Sequence, residues 1–66
     1  MRITVNGETK DVPSPMTVGE LLRSLGIAPA SVAVERNLAI VPRSAVGMEP
    51  VCGGDSIEII RMVGGG

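Results

Sequence analysis

Three consecutive glycines, Gly64, Gly65 and Gly66, follow directly on an apolar, strand-like run and close the sequence. Glycine has no Cβ, so a backbone of this kind can pass a slot too narrow for any side chain. From Val63 to Gly66 it reaches roughly 13 Å when extended, at ~3.3 Å per residue. With Gly66 as the terminus, the reactive group is a carboxylate of reference pKa ~3.5, ionised at neutral pH and a poor electrophile. Joined to AMP it becomes an acyl-phosphate anhydride, and a sulfur nucleophile can then displace AMP and leave a thiocarboxylate. That chemistry asks for no catalytic side chain on the chain that carries it. An expression scar or a frayed end is the plain alternative for such a tail.

The rest of the sequence offers little other chemistry. It has no histidine, so the commonest general base is missing and Ser-His-Asp or Cys-His arrangements are excluded. One cysteine without histidine cannot make a zinc site or hold an iron–sulfur cluster, and the carboxylates lack calcium-loop spacing. No phosphate-binding loop occurs, and Gly53-Gly54 precedes a strand and not a helix. Cys52 has no cation or helix N-terminus beside it in sequence, so it reads as an incidental or packing residue. The expectation is a protein that is not itself an enzyme and holds no cofactor.

The elements that must position the tail are legible from patterning. Met1, Ile3 and Val5 alternate with polar residues as in a half-buried strand, and Asn6-Gly7 is a strong hairpin turn signal. Glu8 to Val12 is the return strand, polar enough to lie at a sheet edge. Thr17 and Glu20 make a capping box, with Met16 and Leu21 at staple positions. Val18, Leu21, Leu22 and Leu25 form one stripe, and Gly26 suits a C-cap, giving a helix over 18–25. Val32 to Arg36 alternates again, Asn37 turns the chain, and Leu38 to Val41 is a short edge strand stopped by Pro42. The stretch 44–51 has no clear period and reads as a loop with one irregular turn. After the Gly53-Gly54-Asp55 turn, Ser56 to Met62 is the last strand. Ile57 and Ile59 point to one face; Glu58, Ile60 and Met62 point to the other. Ile60, Met62 and Val63, beside the tail, are candidates for an exposed apolar partner-binding patch.

A hairpin, one helix and further strands, with the last strand returning parallel to the first, indicate an α+β fold. The architecture expected is a β-grasp: a mixed four- to five-stranded sheet with one helix packed on one face, over residues 1–62, followed by a flexible tail over 63–66. At 66 residues this is one small domain, and its core has no aromatic residue to draw on. The net charge of −1 is scattered, and neither a basic stripe nor a stacking platform favours nucleic acid. No apolar run is long enough for a membrane span and no signal-peptide pattern opens the chain, so a cytoplasmic monomer is the expectation.

Over essentially its whole length the sequence resembles the ThiS family, the ubiquitin-like sulfur carriers of bacterial thiazole (thiamin) biosynthesis. The pieces that carry the resemblance are Ile3-Thr4-Val5-Asn6-Gly7, Thr17-Val18-Gly19-Glu20-Leu21-Leu22, Val34-Glu35-Arg36-Asn37 through Ile40-Val41-Pro42-Arg43, Gly54-Asp55-Ser56-Ile57-Glu58-Ile59 and the terminal Gly65-Gly66. Two positions depart from the pattern: Val46 where an aromatic residue is common, and Gly64 where a bulkier one is. The resemblance implies an ATP-dependent, ThiF-like adenylyltransferase that activates Gly66. It also implies a persulfide sulfur donor derived from a cysteine desulfurase, and thiazole synthase, ThiG, as acceptor. The MoaD-like small subunit of molybdopterin synthase shares the fold and the Gly-Gly end. A β-grasp interaction module without acyl chemistry is a further alternative.

Overall fold

The computed structural model describes residues 1–13 and 15–62. Its first hairpin joins β1 (Arg2–Val5) to β2 (Glu8–Asp11), with Val5 opposite Glu8 and Arg2 opposite Asp11. Asn6 and Gly7 both take positive φ, 50° and 84°, as a type I′ turn demands. A two-residue strand, β3 (Met16–Thr17), runs straight into α1 (Val18–Ser24).

The capping box forms as its residues predict. Thr17 Oγ1 accepts from the Glu20 N–H at 3.2 Å, and Glu20 Oε1 accepts from the Thr17 N–H at 2.8 Å. At the other end Gly26 takes φ +74°, and Gly26 and Ile27 donate to the carbonyls of Arg23 and Leu22. This is a Schellman closure, and the left-handed position is one where a Cβ would be strained. Near the helix start, Gly19 donates to the Val46 carbonyl at 2.8 Å, and a Cβ on Gly19 would stand 3.3 Å from that oxygen. The helix therefore lies against the segment around 46 at backbone distance.

The chain then forms a second hairpin, β4 (Val32–Arg36) and β5 (Ala39–Ile40), turned by Asn37 and Leu38, again both at positive φ. The stretch expected to be a loop contains a 3₁₀ turn over Arg43–Ala45 and a short strand, β6 (Pro50–Val51). β6 pairs antiparallel with β3 in a separate two-stranded ribbon, Met16 opposite Val51. Two-residue strands carry no periodicity of their own, so this pairing was invisible in the pattern. Finally β7 (Ser56–Arg61) enters the middle of the main sheet, whose order is β2-β1-β7-β4-β5. It runs parallel to β1, with Thr4 opposite Ser56, and antiparallel to β4, with Val32 opposite Arg61.

The helix stripe covers one face of this sheet. Val18, Leu21 and Leu22 are buried together with Ile3, Val5, Val34 and Ile57, while Leu25 and Ile59 are partly buried at the margin. Val32, Val41 and Val51 complete the core. The five-stranded mixed sheet with one helix on one face is the β-grasp arrangement expected.

Candidate functional site

β7 brings the chain to its tail. Its alternation is fixed by burial: Ile57 is fully buried and Ile59 partly so, which leaves Glu58 and Ile60 on the face away from the helix. Ile60 is 49% exposed and Met62 45% exposed, and the Met62 N–H donates to the Ser31 carbonyl at 3.1 Å. That bond ties the root of the tail to the start of β4. On the other side, beyond the end of β1, Asn6 Oδ1 accepts from the Ile59 N–H at 2.7 Å. Ile60 and Met62 thus stand exposed as the alternation required. Val63, Gly64, Gly65 and Gly66 lie outside the described residues.

The outward face of the sheet holds more than the sequence pattern singled out. Ile60 lies opposite Ala33, Glu58 opposite Glu35, and Glu35 opposite Ile40 on β5. Ile40 is 74% exposed, and Leu38 at the hairpin tip is also exposed. The signal that would have found these residues is strand register, which is set by the long-range pairing of β4 with β7 and not by local sequence.

A second cluster corrects the expectation that no cation neighbours Cys52. Arg36 Nε donates to Asp55 Oδ2 at 2.7 Å and Nη1 to Glu49 Oε2 at 3.0 Å. Its Nη2 lies 3.6 Å from Cys52 Sγ. Asp55 is buried and also accepts from the Cys52 backbone N–H at 2.7 Å and from Asn37 Nδ2 at 3.0 Å. Burial by itself would raise the Asp55 pKa. The hydrogen bonds from Cys52 N–H, Arg36 and Asn37 outweigh it, and the carboxyl is held below the usual carboxylate range. Asn37 Oδ1 in turn accepts from the Ser56 N–H at 2.9 Å. The cluster binds the β4–β5 turn to the start of β7. Cys52 is exposed at its rim and contributes its backbone more than its thiol.

Comparison with known proteins matches these features to one family. Residues 3–66 match the ThiS family. A crystal structure of a thiamine biosynthesis protein (ThiS) from Geobacter metallireducens superposes with a TM-score of 0.85 at 38% identity, each chain covered completely. A solution structure of a thiamine biosynthesis protein from the same organism gives 0.80 at 39% identity, covering all of this chain and 88% of that one. The chain is also similar to two proteins named thiazole synthase, from Paramagnetospirillum magneticum at 46% identity and Magnetococcus marinus at 42%, each over all 66 residues. It spans only 20% of the length of either. The motif pieces Arg36-Asn37 and Asp55-Ser56 are those that bond one another across the fold, and with the β-grasp sheet and the match over residues 3–66 they go beyond fold likeness: the chain belongs to the ThiS family.

Proposed function

We propose that this chain carries sulfur as a thiocarboxylate on Gly66 and delivers it to a thiazole synthase. The family match over residues 3–66, which includes the terminal glycines, is the observation that carries the reading. A ThiF-like adenylyltransferase transfers AMP from ATP to the Gly66 carboxylate and releases pyrophosphate. A persulfide sulfur derived from a cysteine desulfurase attacks the acyl carbon, and AMP leaves. A second thiol then cleaves the sulfur–sulfur bond, becoming part of a disulfide and freeing the thiocarboxylate. The name thiazole synthase on two longer relatives supports ThiG as the acceptor. The chain supplies recognition and the loaded end, and ATP, catalysis and cofactors belong to its partners, in the cytoplasm.

The absence of histidine from the sequence agrees with a carrier that leaves proton transfer to others. Ile60, Met62 and Val63 form the docking patch nearest the tail, and Gly64 and Gly65 provide a backbone thin enough to enter the partners' active sites. The reading needs a free carboxylate on Gly66 in the acting form. Intact-mass measurement after incubation with ATP, the adenylyltransferase and a sulfur donor tests it. Wild type should gain one oxygen-for-sulfur exchange. Deleting Gly66 shortens the reach by ~3.3 Å while leaving a glycine end, and loading should slow on the order of a hundredfold. Gly65→Val should fail through width, and Cys52→Ser should load normally. Loading of the truncated chain at the wild-type rate overturns the proposal.

A further inference from the structure

We infer that the sheet face away from the helix docks a partner protein that sets a basic side chain between two apolar sockets. The inference rests on the sulfur-carrier reading for the identity of that partner and deepens it by naming the chemistry of the contact. Register places Glu58, Glu35 and Ile40 in one row across three strands, with Ile60 and Ala33 in the next row toward the tail. Neighbouring strands lie about 4.8 Å apart and successive same-face rows about 6.8 Å apart. Ile40 and Ile60 therefore flank a pair of carboxylates on adjacent strands.

Like charges directly opposite one another weaken a sheet, and the fold does nothing to relieve this pair. Among the described residues the ion pairs are Arg2–Asp11, Arg36–Glu49 and Arg36–Asp55. Arg36 pairs in register with buried Ile57, so it belongs to the helix side of the sheet. Among the described residues Arg2 is the one basic side chain on the outward face; it lies on β1 one same-face position before Thr4, which pairs with Ser56, and is engaged with Asp11 of the edge strand β2 at 3.3 Å. The outward face is therefore acidic at its centre, with Ile40 on the β5 side and Ile60 on the side of the tail. A second copy of this chain would oppose carboxylates with carboxylates. Nucleic acid and anionic lipid would be repelled in the same way. A protein surface with a cation at its centre complements the face, and charge complementarity of this kind sets encounter rate and partner choice. The tail leaves the same sheet from β7, so a partner seated here has the tail beside it.

The test uses the purified adenylyltransferase and the full chain with Glu35→Gln and Glu58→Gln combined. The double variant should melt no lower than wild type, since it removes a repulsion. Its Kd for the adenylyltransferase should rise at least tenfold at low salt, with the gap closing as salt screens the contact. The kcat for loading at saturation should stay unchanged. Ile40→Asp should weaken binding similarly, and Asp11→Asn at the far edge should not. Wild-type affinity and salt dependence in the double variant overturn the docking surface, as does a wild-type dimer assembled through this face. If wild type binds in a charge-dependent way yet gains no sulfur, the carrier reading fails and the docking surface stands. Normal loading with affinity blind to all three outward residues gives the reverse.

Discussion

Asp55 shows how much a single side chain can organise in a core without aromatic residues. Its two carboxylate oxygens accept from Arg36, Asn37 and the Cys52 backbone, and these bonds outweigh the cost of burial. Because its folded pKa lies below the unfolded value of ~3.9, its contribution is complete above that pH. The contribution is lost as pH falls through the folded value. Stability measured by urea titration should hold near neutrality and decline below about pH 4. In Asp55→Asn the neutral-pH stability should be lower by about 1–3 kcal/mol, and this part of the acid decline should disappear. An unchanged acid limb would mean that other carboxylates dominate it. None of this was legible from local sequence, because Arg36 and Asp55 lie on separate elements and only the fold brings them together. The same distance explains why Cys52 read as having no cation beside it.

Elements with their own punctuation were legible. The Thr17–Glu20 capping box, Gly26 and the Asn6-Gly7 turn formed as their residue types required, because each is decided within a few residues. Pairings with long-range partners were not legible: the β3–β6 ribbon and the sheet register depend on contacts that no short window contains. The β4–β5 turn falls between these cases. Asn37 marks it, but Leu38 occupies a position at φ 70° that favours glycine, and it is 88% exposed there. Replacing it should relieve backbone strain without losing buried surface. Leu38→Gly is expected to leave stability unchanged or raise it by up to about 1 kcal/mol, read as a higher urea midpoint. A clear loss would show that Leu38 packs in solution.

At the scale of the whole molecule, the fold class followed from the order of elements. The outward sheet face did not, since its row of Glu58, Glu35 and Ile40 exists only once three strands align. Both central pairings depend on β7. A chain ending before Ser56 would keep two separate hairpins and a helix with half a sheet to cover, and isolated hairpins are marginal in water. Circular dichroism should find it unfolded at 25 °C, whereas a chain ending at Met62 should fold; a cooperative melt from the shorter chain would refute this. The parallel pairing of Thr4 with Ser56 joins residues from nearly opposite ends of the sequence, so closing the sheet requires a contact of high sequence separation and comes late. During synthesis the first strand therefore waits for the last one to leave the ribosome. A free-standing chain of this kind completes its sheet only around release. Where further polypeptide follows β7, the growing chain pushes that strand clear, and the domain can be finished while the remainder is still being made.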